Sequence, residues 1–126
     1  MILCDTNIFI EIYRGNDLIV KEISELGQHN IAVSDITCAE LLYGARNKKE
    51  LQIIRKDLNK LTILPINSSI STSSVALIEK YSISHKLSLP DAFIAATAIY
   101  HDFKLYTLNV KDFKYITGIK MLMIKD

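Results

Sequence analysis

The stretch MILCDTN (residues 1–7) opens with a short apolar run, residues 2–4, that leads directly into the carboxylate of Asp5. Apolar runs of this length, bounded by polar residues, are typical of buried strands in α/β proteins. A charge at the end of a buried strand is costly unless something nearby compensates for it. The fold must therefore bring residues or a ligand to Asp5 that compensate for its charge.

Short apolar runs alternate along the chain with longer segments of helical period, which predicts a three-layer α/β domain. With 126 residues and 49% hydrophobic content, the chain is long enough for one domain, which we place at residues 1–126. The predicted strands cover residues 2–5, 31–33, 62–64, 104–107 and 121–124. The predicted helices cover residues 6–14, 17–26, 35–45, 48–60, 71–84 and 90–100, with Ser34 or Asp35 capping the third.

The composition gives weaker indications. The net charge of +1 shows no basic excess, but setting four acids aside as a site leaves 15 basic residues against 10 acidic ones, a mildly basic exterior. Cys4 and Cys38 lie in apolar surroundings, which favours buried thiols in a reducing compartment over a disulfide or a metal pair. Because Asp5 and Glu11 interrupt the first apolar stretch, we expect a cytoplasmic protein without a signal peptide or membrane span.

Polar residues follow three of the predicted strands. Asp5 follows the first strand, Ser34 and Asp35 follow the second, and Thr107 and Asn109 follow the fourth. In an open parallel sheet, ligands bind beyond the carboxyl ends of the strands. We therefore expect these residues to face the same edge of the sheet.

Glu40 lies in the helical segment SDITCAELLYGA (residues 34–45). A rotation of about 100° per residue places Glu40 on one stripe with Ile36, Ala39 and Tyr43. The pattern predicts that Glu40 lies on or beside the buried face and leans back toward the sheet edge. The alternative is a salt-bridged residue at the flank of the helix.

Asp91 lies in LSLPDAFIAATA (residues 87–98), a helix that begins near Pro90 and is apolar nearly all round. Such a helix is expected at the centre of a fold. In the first turn, the helix dipole would stabilise the Asp91 carboxylate by about 0.3–1 kcal/mol, so that a capping role fits the pattern as well as a catalytic one does.

Asp112 follows the predicted strand at residues 104–107. Asp112 and the other three acids would repel one another if the fold brought them together. Two carboxylates about 5 Å apart repel by roughly 3 kcal/mol at an effective dielectric near 20. Protonation, a Lys or Arg partner, or a bound cation must then offset this repulsion. Oxygen ligands without His or Cys favour Mg²⁺ or Mn²⁺ over zinc, and carboxylate-held Mg²⁺ suits phosphodiester hydrolysis.

Four segments of the chain together form a recognisable pattern. They are LCDTNIFIEI (residues 3–12), SDITCAELLYGA (34–45), LSLPDAFIAATA (87–98) and LYTLNVKDFKYITGIKML (105–122). Each segment alone is a weak signal, but the four occur in order and span almost the whole chain. Together they resemble the PIN-domain ribonucleases, and in particular the VapC-type toxins of bacterial and archaeal toxin–antitoxin pairs.

The resemblance implies a PIN-like fold with a central, mostly parallel twisted sheet flanked by helices, and Mg²⁺- or Mn²⁺-dependent endoribonuclease activity. It matches four acids to the family's catalytic metal ligands, the last being the most variable: Asp5, Glu40, Asp91 and Asp112. It matches four further residues to polar positions that support the site: Thr6, Asn7, Thr107 and Asn109. Because some relatives carry an acid where this chain has Asn109, the fourth ligand is either Asn109 or Asp112.

The resemblance further implies an RNA substrate, a homodimer, and an antitoxin whose C-terminal segment lies across the active-site groove. Metal-dependent hydrolysis would leave 5′-phosphate and 3′-hydroxyl ends. The histidines His29, His85 and His101 lie outside the four segments. We expect them to be surface or cap residues, which argues against a metal-independent route through a 2′,3′-cyclic phosphate.

Arg46, Lys48 and Lys49 follow the Glu40 helix and are candidates for contacts with RNA phosphates. The alternative is a solvated helix end at which these cations complement the helix dipole.

Two other functions stay open at this stage. One is a phosphoacceptor domain, in which a strand-end Asp is phosphorylated with the help of Mg²⁺. That chemistry usually needs a second acid directly beside the nucleophile, whereas Asp5 is followed by Thr6 and Asn7. The other is a catalytically inactive PIN-like binding module, which the four intact acids disfavour.

Overall fold

The computed structural model describes residues 1–123. The strands are β1 (Ile2–Cys4), β2 (Ile31–Ser34), β3 (Thr62–Leu64) and β4 (Lys104–Tyr106). The helices are α1 (Thr6–Tyr13), α2 (Asp17–Leu26), α3 (Asp35–Tyr43), α4 (Lys48–Leu58), α5 (Ser68–His85) and α6 (Leu89–His101). Short 3-10 helices form at Gln28–Asn30 and Val110–Asp112. None of these helices is long and apolar enough to cross a membrane.

The four strands are all parallel and lie in the order β3-β2-β1-β4. The central strand β1 places Leu3 opposite Ala32 of β2 and Leu105 of β4. The carboxyl ends of β1, β2 and β4 consequently lie at one edge of the sheet, as the sequence predicts. This arrangement confirms the predicted α/β class.

Side chains point alternately to the two faces of the sheet along each strand, and this divides the core into two clusters, one on each face. Leu3 and Leu105 belong to a cluster that contains Ile94 of α6. Their neighbours Cys4 and Tyr106 belong to a cluster that contains apolar residues of α1, α2, α3 and α4. Successive strand residues point to opposite faces, so the sheet lies between two helical layers as predicted.

Most predicted boundaries agree with the structure to within one residue. The largest error is at the start of α5, which begins at Ser68 and not at residue 71. The reason is Asn67, whose side chain caps the helix by accepting a hydrogen bond from the Ile70 backbone N–H at 2.8 Å. Helices α3 and α4 each end two residues earlier than predicted, where Gly44 and Asn59 occupy the C-cap positions.

The predicted strand at residues 121–124 extends to residue 124, which lies outside the described residues. In the described part, Met121 forms a single parallel bridge with Leu105 of the edge strand β4. The Leu122 backbone N–H also donates to the Leu105 carbonyl at 2.8 Å. Pairing therefore occurs where an edge strand was predicted, but the described residues form only a bridge.

Candidate active site

Asp5 lies directly after β1, at the sheet edge. It caps α1, and its side chain is only 5% exposed. The Thr6 backbone N–H donates to its Oδ1 at 2.8 Å, and the Thr107 hydroxyl donates to its Oδ2 at 2.8 Å. Both hydrogen bonds favour the charged carboxylate, but burial, together with the charges of Glu40 and Asp112, raises the pKa of Asp5 above its usual value.

The structure connects Glu40 to Asp5 through Thr6. The Thr6 hydroxyl donates to Glu40 Oε1 at 2.8 Å, while the Thr6 backbone holds Asp5. The Thr37 hydroxyl lies 3.0 Å from the same Thr6 oxygen and is fully buried. Since the single Thr6 proton is used toward Glu40, Thr37 supplies the proton of the second hydrogen bond.

The prediction that Glu40 shares a buried stripe with Ala39 and Tyr43 is wrong. Tyr43 is 91% exposed, and the buried residues of α3 are Thr37, Cys38 and Leu41. The apolar residues of α3 are spread around the helix, so their spacing does not indicate which face is buried. Glu40 is exposed and reaches the sheet edge from the flank of the helix.

Asp91 lies in the first turn of α6, which Ser88 caps by accepting a hydrogen bond from the Asp91 backbone N–H at 3.3 Å. Behind it the helix is almost wholly buried, as predicted. Burial raises the pKa of the half-buried Asp91 carboxyl to about 6, and the charges of Asp5, Asp112 and Glu40 contribute to this shift. Contacts agree with this proximity: Thr6 binds both Asp5 and Glu40, and Asp91 and Asp112 line one cavity.

Asp112 and Asn109 both follow β4, but their environments differ. Asp112 lines a cavity of about 210 Å³ together with Asp91. Asn109 is exposed, and its backbone N–H donates to the Thr107 hydroxyl at 3.1 Å. Asn7 bridges the same loop through two long hydrogen bonds of 3.4 Å, one to Thr107 and one from the Leu108 backbone N–H.

None of the four acids forms an ion pair within residues 1–123. The ion pairs of this part of the chain all involve other acids: Glu11, Glu25, Glu50, Asp57 and Asp102. No ion pair of this part of the chain therefore neutralises the negative charge at the sheet edge. This favours a cation as the missing partner.

The donor set fits a hard divalent cation, because it consists of carboxylate and hydroxyl oxygens. However, no three His, Cys, Asp or Glu side chains of the described residues are placed to ligate one ion as they stand. The Thr6 hydroxyl donates to Glu40, and the Thr107 hydroxyl donates to Asp5. Mg²⁺ keeps several waters and usually binds one or two carboxylates directly, so the arrangement still fits this ion.

Of the three basic candidates, the structure places only Arg46 in a groove with Glu40. Arg46 lines a groove of about 700 Å³ together with Glu40, and its Nε and Nη2 both contact Glu50 Oε2 at 3.0 Å. Lys48 and Lys49 are exposed in the first turn of α4. Both lysines are solvated, as the alternative expects, but the dipole of α4 itself disfavours cations at this end.

Sequence reasoning did not identify Thr37 or Ser88 as parts of this site. Ser88 could have been found as the residue three positions before Asp91 in a Ser-x-x-Asp capping pattern. Thr37 lies three residues before Glu40, but a threonine in a helix is too common to indicate such a contact.

The raised pKa of Asp91 makes the stability of the metal-free protein depend on pH. The folded state holds the Asp91 proton more tightly than the unfolded chain, whose carboxyl has the ordinary value of 3.8. This contribution to the free energy of unfolding is fully present below about pH 4 and is lost as the pH rises through about 6. We therefore expect wild type to lose stability relative to Asp91→Asn over this range, measured by urea unfolding in EDTA. Parallel stability curves for the two proteins would contradict the assignment.

Comparison with known proteins adds independent information. A family model for the PIN domain matches residues 2–118. Ribonuclease VapC1 of Rickettsia felis is 37% identical over 131 aligned residues, which cover 98% of this chain and 96% of that protein. Ribonuclease VapC10 of Mycobacterium tuberculosis is 31% identical, with coverages of 95% and 91%.

A solved toxin–antitoxin complex from Klebsiella pneumoniae contains a chain that is 36% identical to this one. The two superpose with a TM-score of 0.80 over 94% of this chain and 95% of that chain. The parallel sheet, the acids at its edge and a family match over residues 2–118 agree with one another. The chain belongs to the PIN-domain family, in its VapC group.

Proposed function

We propose that this protein is a Mg²⁺- or Mn²⁺-dependent endoribonuclease and the toxin of a type II toxin–antitoxin pair, acting in the cytoplasm. The observation that carries the proposal is the group of four acids at one sheet edge, which have no ion-pair partner within residues 1–123. Burial and the charges of the neighbouring acids raise the pKa of two of them, Asp5 and Asp91. Relatives named ribonucleases support RNA hydrolysis over a phosphoacceptor role.

The proposed metal ligands are the four acids, binding directly or through water: Asp5, Glu40, Asp91 and Asp112. A divalent cation at such a site supplies an activated water and stabilises the charge on the leaving oxygen. We assign the role of fourth metal ligand to Asp112, and not to Asn109, because Asp112 shares a cavity with Asp91. Asn109 supports the site through its backbone, which donates to Thr107.

Threonine hydroxyls orient the carboxylates. Thr107 and the Thr6 backbone each occupy one oxygen of Asp5, and each of these oxygens retains a lone pair for a further ligand. The Thr6 hydroxyl holds Glu40 beside Asp5, and Thr37 in turn fixes the Thr6 hydroxyl. Because Thr37 and Thr107 are buried, the orientation of both acids is set before any ligand arrives.

The basic candidates would bind the RNA strand where it enters the groove. Lys48 and Lys49 have no described ion-pair partner and occupy a helix end that disfavours cations, which supports a role in phosphate binding. Arg46 would have to exchange its contact with Glu50 for a phosphate.

The central test replaces Asp5 with Asn, which preserves size and removes the charge. We expect wild type to cleave RNA with Mn²⁺, to stop in EDTA, and to leave 5′-phosphate and 3′-hydroxyl ends. Asp5→Asn should lose more activity than the roughly 10- to 100-fold that loss of an outer-shell partner causes. End-specific sequencing of the RNA fragments measures both the rate and the chemistry.

Asp17→Asn is the matched control, because it removes the same charge from the first turn of α2 and should retain activity. Undiminished Mn²⁺-dependent cleavage by Asp5→Asn would show that the metal assignment is wrong. Absence of cleavage by wild type with any divalent cation would instead support an inactive binding module.

A second test concerns the orientation of Asp5. Thr107→Val removes the hydroxyl that donates to Asp5 and nearly preserves side-chain volume. We expect Mn²⁺ affinity, measured by calorimetry, and cleavage to fall together by about 10- to 100-fold, with Thr107→Ser retaining both. Thr62→Val at an exposed position of β3 is the control. If Thr107→Val matched wild type in both measurements, the hydroxyl would have no positioning role.

We further propose that the chain forms a homodimer and binds a cognate antitoxin whose C-terminal segment covers the groove. The similar Klebsiella pneumoniae chain occurs in a structure described as a toxin–antitoxin complex. Light scattering of the purified chain should give the mass of two chains, and co-expression with its antitoxin should suppress RNA cleavage. A monomeric mass would contradict the dimer, and unsuppressed cleavage would contradict the mode of inhibition.

A further inference from the structure

Lys86 also lines the cavity that Asp91 and Asp112 share. The volume of this cavity is about 210 Å³, and its remaining lining comes from the turn between α5 and α6 and from the loop after β4. These lining residues include His85, Lys86, Ser88 and Tyr115. Two of the proposed metal ligands therefore share one small space with Lys86.

Lys86 has an unusual backbone conformation for a residue with a side chain. It closes α5 in the left-handed region, with φ 55° and ψ 39°, where glycine is the common residue because it meets no steric penalty. Asp102 is the other described non-glycine residue with positive φ, and its carboxylate contacts the Lys120 ammonium at 2.7 Å. Lys86 has no ion pair or side-chain hydrogen bond within residues 1–123. The fold thus carries a lysine at a position that favours glycine and makes no structural use of its charge.

An aromatic cluster connects the end of α5, where Lys86 lies, to the loop after β4. The rings of His85 and Tyr115 stack with centroids 3.9 Å apart and planes 10° apart, and Tyr81 packs edge-on against Tyr115 at 5.0 Å. The Tyr81 hydroxyl also accepts a hydrogen bond from the Thr117 backbone N–H at 3.2 Å. The end of α5 is therefore attached to the loop that carries Asp112, which makes the cavity a preformed part of the fold.

The size and charge of the cavity select its ligand. An RNA strand near four carboxylates is repelled by them, and a lysine beside the acids offsets that repulsion locally. Pockets for drug-sized ligands measure roughly 300–1,000 Å³, so this smaller space has room for a compact group such as a phosphate.

We propose that Lys86 binds a backbone phosphate of the RNA substrate next to the scissile one, in the cavity that it shares with Asp91 and Asp112. This inference rests on the proposed ribonuclease function and adds a positioning residue that lies outside the four family segments. Lys86 acts as a point charge and orients the strand without reading its sequence.

The test compares Lys86→Gly with wild type, because glycine adopts the left-handed conformation without strain while removing the charge. Binding of a fluorescein-labelled single-stranded RNA is followed by anisotropy in EDTA, between about 50 and 200 mM salt. We expect Lys86→Gly to bind about tenfold more weakly, and the slope of log affinity against log salt to decrease in magnitude by about 0.7. Its urea unfolding midpoint should equal or exceed that of wild type, which separates lost binding from lost folding.

Two further variants isolate the position of the charge. Lys86→Arg keeps the charge and should bind within about twofold of wild type. Lys104→Ala removes one charge from the amino end of β4, at the opposite edge of the sheet from the acids, and should also bind within about twofold.

The outcomes separate this inference from the proposed function. Equal affinity and salt slope for Lys86→Gly and wild type, while wild type still cleaves RNA, would overturn the inference alone. Equal weakening by Lys104→Ala would also overturn it, as would a Lys86→Gly variant that binds RNA normally but escapes its antitoxin. If Lys86→Gly loses RNA binding and wild type cleaves no RNA, the phosphate contact stands and the nuclease proposal fails.

Discussion

The hydrogen bond from Thr107 to Asp5 joins residues that are 102 positions apart in the sequence, and the geometry of the sheet edge depends on it. It forms because β1 and β4 pair in parallel with Cys4 opposite Tyr106, so that the next residue of each strand emerges at the same place. The Asp5 backbone N–H also donates to the Tyr106 carbonyl at 2.9 Å and continues the ladder to this point. A register slip of one residue would turn the side chains of one strand to the opposite face and separate the two groups.

The same constraint creates an electrostatic problem that the fold does not solve with its own side chains. The chain forms ion pairs elsewhere, such as Arg46 with Glu50 and Lys120 with Asp102, but these lie on exposed surface. At the sheet edge, hydroxyl groups and backbone N–H groups orient the acids without neutralising them. Such donors lower the pKa of Asp5, yet its burial outweighs them. The site is thus held in position at a cost in stability that a bound cation removes.

How much the sequence could predict depended on the range of the contacts involved. Strand runs and helix caps are local, so α2 and β3 were predicted at their observed bounds, and Asp5 was expected at the sheet edge. The orientation of α3 was predicted wrongly because apolar residues surround that helix and the choice of face depends on tertiary packing. The Asn67 cap was missed, although its position after Pro65 was a readable signal.

The environment of Lys86 could not be predicted, because it combines two properties that only the folded chain reveals. One is the left-handed backbone at the end of α5, which sequence patterns associate with glycine and not with lysine. The other is the stack of His85 on Tyr115, which brings together residues 30 positions apart. The acids lie in motifs that the sequence displays, whereas the position of Lys86 beside two of them follows from packing between the end of α5 and the loop after β4. A residue that is brought to the site in this way becomes visible only once the chain is folded.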